Sequence, residues 1–598
     1  MGPITLVDVI LSATERGAEC VAKQKIEGRW AEISSTQLHN QVLLLARTLQ
    51  DWGIKKGDRI AIVSENRPEW QITDFAALSM GAVDIPIYTT LTGEQAAVIL
   101  KDSGARILFV SSREHLEKFS SIEEKTSIEK VVIFDALETP VENNWVPLVE
   151  WSSLFSSEVE TGQVTTWEAT ARSIQPDDLA TIIYTSGTTG APKGVMLTHG
   201  NIASNMSFSL AKFNFVRGDV GISFLPLSHI TARHLDYCLY LHGVVVAYCP
   251  HIEELPQALL DVHPTIIVAV PRVYEKVREK ANSRASSGLK RKIFSWAIRT
   301  GEANLGEVLA GKTPTGMAWK LANALVYSKI RSGFGGRGRF FISGGAPLGY
   351  DLARWYACMS IRIHEGYGLT ETSPVIAINT PEHHRIGTVG QCLPNVECRI
   401  AEDGEILVRG PSIFRGYWKR EQETRDAFND GWFRTGDIGK MDAEGYLSIT
   451  DRKKDMIKTS GGKFIAPQPI ESRLKTNSFI AEAAVLGDRR KFPSVLLAPQ
   501  FATLEPWARA NGVKYSDRNE LIRDPKVRSL YVGVVHDLNR GLAKFEQLKK
   551  VLLIPDEFSI ASGELTPSMK LKRRVVEKKY AELIDALYAD EPAPAMPA

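Results

Sequence analysis

Long apolar runs are missing from this chain. No stretch approaches the roughly 18 residues that a bilayer-spanning helix needs. Cysteine is scarce: Cys20, Cys238, Cys249, Cys358, Cys392 and Cys398 are the only six in 598 residues, and none form a C-x-x-C pair. That excludes a disulfide-built scaffold and points to a reducing compartment, the cytoplasm. An excess of one charge is missing too. Lys and Arg total 72 against 70 Asp and Glu, a formal net charge of +2. So close a balance provides no global field for nucleic acid or an anionic membrane. The opening Met1-Gly2-Pro3-Ile4-Thr5-Leu6 has no basic region of a signal peptide. Leu6 stands where the myristoylation pattern wants Ser or Thr. What is present is ordinary for a globular protein, 44% hydrophobic and 24% charged. The length allows about four compact units. A cytoplasmic enzyme or a large binding protein remains.

Strand and helix patterns alternate along the first 110 residues. Ser35 and Thr36 can cap a helix bearing Val42, Leu45, Leu49 and Trp52, stopped by Gly53. Residues 59–63, 83–87 and 107–110 read as strands, with helices over 70–80 and 94–101 between them. Buried strands are also expected at 181–184, 266–270 and 340–343. This alternation argues for a doubly wound α/β architecture. Residues 281–338 are helical and basic, then Gly-rich, and read as an insertion. Beyond about residue 395 a small β unit is expected, with strands at 405–408 and 446–450. After the charge run Asp451-Arg452-Lys453-Lys454-Asp455, strands at 483–486, 494–498 and 551–554 suggest a small α+β domain. The tail 589–598 is rich in Pro and Ala and reads as disordered.

The strongest local signal is Tyr184-Thr185-Ser186-Gly187-Thr188-Thr189-Gly190-Ala191-Pro192-Lys193-Gly194. It leaves an apolar strand, where phosphate loops sit in α/β folds. Its glycines let backbone N–H groups turn toward an anion, the hydroxyls add donors, and Lys193 adds a positive charge. It is not a Walker A loop, because Pro192-Lys193-Gly194 stands where Gly-Lys-Ser/Thr is required. A surface turn is the bland alternative.

This loop resembles the signature of the acyl-adenylate-forming superfamily. The resemblance assigns the β- and γ-phosphates of ATP and the departing pyrophosphate to Thr185, Ser186, Gly187, Thr188, Thr189, Gly190 and Lys193. Further motifs follow in the family's order. Ser343-Gly344-Gly345-Ala346-Pro347 is similar to the segment lining the adenine and acyl sites, which implicates Gly345 and Ala346. In Glu365-Gly366-Tyr367-Gly368-Leu369-Thr370-Glu371 the resemblance implies a nucleotide pocket. There Tyr367 stacks on adenine, Thr370 bonds a phosphate oxygen and Glu371 holds Mg²⁺. One carboxylate suits that ion, which takes one or two plus phosphate oxygens. Trp432-Phe433-Arg434-Thr435-Gly436-Asp437 places Asp437 at the ribose hydroxyls, and Arg452 resembles the arginine that joins it there. Leu225-Pro226-Leu227-Ser228-His229 resembles the segment with an aromatic or His beside the acyl carboxylate. His229 and His234 are five apart, unlike a zinc pair on one helix face. Lys570 aligns with the lysine that the family's C-terminal domain brings to the active site, although Met569 stands where many relatives have Gly.

The resemblance spans about residues 5 to 580 and leans toward bacterial long-chain fatty acid–CoA ligases. It implies a large N-terminal part, 1–453, built of doubly wound subdomains plus the small β unit. A mobile lid, 454–588, follows, with Lys454 at the hinge. It also implies two half-reactions. A fatty carboxylate attacks the α-phosphorus of ATP; then the lid turns, and Gly461, Gly462 and Lys463 line a channel for the thiol of coenzyme A. Fatty acid, ATP and coenzyme A are the expected partners, with Mg²⁺ as cofactor. Nucleic acid is not among them, and peripheral contact with the inner face of a membrane stays open. The alternatives are an aryl- or medium-chain-CoA ligase, a fatty acyl-AMP ligase, and a protein that holds nucleotide without turnover. Joint retention of Lys193, Glu371, Asp437, Arg452 and Lys570 argues against the last. No G-x-S-x-G elbow is present.

Overall fold

A computed structural model describes residues 2–119, 126–139, 146–186, 192–285, 287–461, 463–559, 562–565 and 571–589, the side chain of Ser186 excepted. Two large, mostly parallel sheets form the body. The first has eight strands, in the order Gly416–Tyr417, Pro192–Thr198, Leu179–Ser186, Val83–Ile87, Arg59–Val63, Ile107–Val110, Lys130–Ile133 and Leu148–Glu150. The second has nine and centres on Val220–Ser223, Ile266–Ala269, Phe340–Ser343 and Ile363–Gly368. The inner strands are apolar on both faces, as helix-covered parallel strands must be. Ile60, Ala61 and Ile62 are wholly buried.

Helix Ser35–Asp51 is capped one residue earlier than the sequence suggested. Ser34 is the cap: its side chain accepts from Gln37 N at 3.1 Å, and Gln37 Oε1 accepts from Ser34 N at 2.8 Å. This reciprocal pair satisfies two donors that the helix leaves open. The hydroxyl of Ser35 instead donates to Ala18 O at 3.2 Å. The helical region also starts earlier than residue 281. Helix Pro271–Arg284 follows the strand directly, with Pro271 in the first turn, where a missing N–H costs nothing. Helices Gly288–Ala303, Leu305–Leu309 and Met317–Ala322 continue it.

A five-stranded antiparallel sheet lies beside the body, and Trp432–Met441 pairs within it with Leu447–Arg452. Residues 453–455 form a turn. The hairpin Ile457–Lys458 and Phe464–Ile465 comes next, and then a three-stranded sheet of Ile480–Leu486, Ser494–Pro499 and Val551–Leu553 with packed helices. This C-terminal unit has its own apolar cluster around Val485, Val495, Leu504 and Tyr531. Among the described residues no helix is long and apolar enough to cross a membrane. Of the stretch 589–598 expected to be disordered, residues 590–598 lie outside the described residues.

Candidate active site

Strands Ile266–Ala269, Phe340–Ser343 and Ile363–Gly368 are parallel neighbours, so their carboxyl ends open on the same edge of the sheet. Ligands bind at that edge in open α/β sheets. A cleft of about 2780 Å³ lies there, walled by the body on one side and the C-terminal unit on the other. Two glycines let the chain turn tightly at its floor. Gly345 has φ +81°, and a Cβ on Gly368 would lie 1.7 Å from the Pro374 carbonyl oxygen. Ala346, Gly366 and Thr370 also line the cleft.

Three of the acids that line the cleft sit in three different environments. Glu365 is buried and accepts from Leu348 N at 3.0 Å; burial pushes its carboxyl up to about 7. Glu371 accepts from the Tyr417 hydroxyl at 2.9 Å through one oxygen. Asp437 sits opposite Arg452 in the antiparallel register. Its Oδ1 is 3.1 Å from Arg452 Nε, and its Oδ2 accepts from the Tyr367 hydroxyl at 2.7 Å. A carboxylate offers about four lone-pair directions. Asp437 therefore keeps acceptor capacity for two hydroxyls while both its oxygens hold the Tyr367 ring and the Arg452 head in place.

The strands on either side of the glycine- and threonine-rich segment, Leu179–Ser186 and Pro192–Thr198, pair antiparallel, with Thr185 opposite Lys193. Both residues line the cleft. Lys193 Nζ is 2.5 Å from Glu423 Oε2 and stands over the Tyr417 ring at 5.4 Å. Gly187, Thr188, Thr189 and Gly190, like Gly462 and Lys570, lie outside the described residues.

One wall of the cleft is apolar, with Ile183, Leu210, Leu235, Val268, Ile342 and Val375. Two histidines interrupt it. His229 caps helix Ile230–His242 and accepts from Thr231 N at 3.2 Å through Nδ1. His234 is bonded through Nε2 to Ser209 Oγ at 3.0 Å, and burial pushes it down to about 3, so it is neutral.

The C-terminal unit presents helix Pro467–Leu474 and residues 571–575 to the cleft. Arg573 is held by Glu471 at 2.7 Å and by the Val485 carbonyl at 2.6 Å. Lys454 also lines the cleft, and burial and Arg452 lower its pKa. Gly461 and Lys463 do not line it; Thr459 N donates to Lys463 O at 3.0 Å and closes the hairpin elsewhere on the unit.

The AMP-binding enzyme profile matches residues 12–418, and the AMP-binding enzyme C-terminal domain profile matches residues 454–592. The chain belongs to the AMP-binding enzyme family. It is 37% identical to a protein of Mycobacterium bovis named long-chain-fatty-acid–CoA ligase FadD15, over 96% of this chain and 94% of that one. It is 34% identical to long chain acyl-CoA synthetase 7, peroxisomal, of Arabidopsis thaliana, over 90% and 79%. Its fold matches the A domain of the carboxylic acid reductase of Segniliparus rugosus, solved with AMP and a co-purified carboxylic acid. The TM-score there is 0.75 at 20% identity, over 98% of this chain and 94% of that one.

In this AMP-binding enzyme, residues nearly 270 positions apart meet around one space. Thr185, Lys193, Glu371, Tyr367, Asp437 and Arg452 all line it. Gly461 and Lys463 do not line it, whereas residues 571–575 of the same C-terminal unit do. Tyr417 and Glu423 were not singled out in the sequence. They orient Glu371 and Lys193 from 46 and 230 residues away, and no local pattern marks such partners.

Proposed function

We propose that this enzyme activates a long-chain fatty acid as its acyl-AMP and passes the acyl group to coenzyme A, releasing AMP and pyrophosphate. The observation that carries the reading is that one cleft joins the Tyr367–Asp437–Arg452 cluster to an apolar wall. The first suits a nucleoside and the second a hydrocarbon chain.

A carboxylate is a poor acyl donor because oxide would have to leave. In the first half-reaction a carboxylate oxygen bonds to the α-phosphorus of ATP and the bond to pyrophosphate breaks. Tyr367 offers its ring to adenine, and Asp437 accepts from the ribose hydroxyls beside Arg452. Lys193 and the loop that follows Thr185 hold the outgoing phosphates, and Lys570 steadies charge developing at the α-phosphate. His229 lies beside the acyl carboxylate. Glu371 fits Mg²⁺ and would hold it: it lines the cleft, and only one of its oxygens is engaged by Tyr417, which leaves carboxylate capacity for an ion that takes one or two such ligands. When bound, the ion supplies positive charge to the phosphates.

In the second half-reaction the thiolate of coenzyme A bonds to the acyl carbon and AMP leaves with the former carboxylate oxygen. The C-terminal unit turns about Lys454 between the two. That motion withdraws Lys570 and brings in Gly461, Gly462 and Lys463. An acid panel from acetate through long-chain acids to benzoate, with AMP release followed with and without coenzyme A, tests the reading. Long saturated acids should turn over fastest and need coenzyme A for sustained release. A preference for acetate or benzoate, or turnover indifferent to coenzyme A, contradicts it.

A further inference from the structure

A free cysteine is normally a small buried hydrophobe, and its reactivity rather than its packing sets it apart. Three of the six in this chain fit that description. Cys238, Cys249 and Cys358 are buried, and burial pushes each thiol up. Cys20 is half-buried and is also pushed up, by burial first. Cys392 and Cys398 differ. Both are half-buried at the edge of the main apolar cluster, and the Cys398 thiol donates to the Cys392 sulfur. That contact holds Cys392 below the ordinary thiol range and pushes Cys398 up.

The backbone brings the two residues together. Cys392 ends strand Gln391–Cys392, and Cys398 lies in strand Glu397–Ile400. The turn between them is anchored at three points. Leu393 N donates to Ile376 O at 2.9 Å, Val396 N to Leu393 O at 3.0 Å, and Asn395 Nδ2 to Ser204 O at 3.0 Å. The two strands are edges of different sheets, the nine-stranded one of the body and the five-stranded one beside it. In the first sheet Cys392 lies opposite Ala377, and Ala377 opposite Tyr367. In the second Cys398 lies opposite Val408, and Val408 opposite Phe433. Residues opposite one another in antiparallel strands share a face. The thiol pair therefore joins a row that ends at Tyr367, roughly 10 Å away at two strand spacings, to a row that ends at Phe433. Phe433 lines the cleft in the strand that carries Asp437. Tyr367 and Asp437 belong to these two sheets and meet through their 2.7 Å hydrogen bond.

We infer that Cys392 and Cys398 form a redox modification site, a dithiol that a hydroperoxide converts to a disulfide, tying together the two sheets that hold the nucleotide cluster. Cys392 is the attacking sulfur, because the thiolate is the nucleophile. It bonds to one peroxide oxygen, the O–O bond breaks, and the other oxygen leaves as alcohol or water once protonated. The Cys398 sulfur then displaces the hydroxyl from Cys392. The S–S bond forms, the S–O bond breaks, and water departs with the Cys398 proton. The two sulfurs give up two electrons in all, and the peroxide receives them. A low thiol beside a resolving cysteine is the arrangement of a redox sensor. A small-molecule thiol reverses the bond by exchange. The effect on nucleotide binding rests on the functional reading above; the bond itself does not.

Brief hydrogen peroxide treatment of the full chain, then alkylation and peptide mass mapping, tests this without turnover. The native protein should gain one bond, Cys392 to Cys398, with a mass lower by two hydrogens, and dithiothreitol should restore both thiols. Cys20, Cys238, Cys249 and Cys358 should stay reduced. Cys398→Ser should stop with one added oxygen on Cys392, trapped by dimedone, and Cys392→Ser should leave Cys398 unoxidised. ATP binding by calorimetry should weaken about tenfold in the bridged protein, as for one displaced hydrogen bond to a charged group. Absence of the bond, a bond to another cysteine, or sulfinic acid on Cys392 in its place overturns the inference. Native ATP binding by the fully bridged protein overturns the coupling to the cleft. Failure of the reduced protein to bind ATP counts against the functional reading instead, and the mass map still decides the site.

Discussion

Two clusters in this molecule share an arginine, an aspartate and a tyrosine, and their uses are opposite. In the body, Arg233 lies between Asp74 at 2.6 Å and Asp84 at 2.9 Å, donates to Thr181 Oγ1 at 2.9 Å, and contacts the Tyr237 hydroxyl, which itself donates to Asp74 at 2.6 Å. The Arg233, Asp74 and Asp84 side chains are wholly buried. Burial raises the Asp84 carboxyl well above the usual carboxylate range, against the pull of Arg233 and with the push of Asp74. The cluster is close to neutral and tied within itself. At the cleft, Asp437 and Tyr367 join Arg452, whose side chain is 31% exposed. There the same chemistry keeps acceptors and a cation in reach of a ligand. Residue type does not separate a structural cluster from a binding one; access does.

Substitutions sharpen that contrast. Arg233→Met should cost the most, about 3–5 kcal/mol, because it leaves two acids buried without their cation. Chemical denaturation reads the loss, and half-saturation for ATP in the folded fraction should not move. A marginal stability change would place the sealed cluster with the open one. Asp437→Asn should do the reverse. Its stability cost should be about 1 kcal/mol, as for a pair partly in water. Half-saturation for ATP should rise about ten- to hundredfold, the worth of hydrogen bonds to a charged acceptor. Unaltered ATP saturation would remove Asp437 from the site.

Glu365 presents a third arrangement, a buried acid with a backbone donor and no cation, and its effect shows only in how stability depends on pH. The native state holds this proton up to about pH 7, while the unfolded chain releases it in the ordinary carboxylate range. The native state thus binds more protons in that window, and stability falls as pH rises through it. Glu365→Gln cannot ionise and should flatten that fall, by on the order of 2–3 kcal/mol. Denaturation midpoints across the window test this; parallel curves for the two proteins would show Glu365 ionised throughout.

Much of the frame was legible in the sequence. Strands Arg59–Val63, Ile107–Val110 and Phe340–Ser343 fall on the expected bounds, since short apolar runs edged by polar or turn residues have few other structures open to them. The helix before them was missed by one residue at its cap, although Ser34-x-x-Gln37 spelled the capping box. The site was legible only through motif order. Asp437 alone would pass for a turn residue, and its pairing with Arg452 depends on strand register. The Arg233 cluster left no trace, because its acids lie about 150 residues upstream. The same holds for Tyr417 and Glu423. Periodicity reports which face of an element is buried, not which distant side chain meets it there.

The central claim is that one cleft serves two half-reactions, with the C-terminal unit contributing different segments to each. Lys570→Ala tests it most directly, assayed separately for fatty-acid-dependent ATP–pyrophosphate exchange and for thioester formation from supplied acyl-AMP. Exchange should fall by about a hundredfold or more, the usual loss when one transition-state cation or donor is removed, while thioester formation proceeds at the native rate. Full exchange in the variant, or equal loss of both reactions, would contradict the claim.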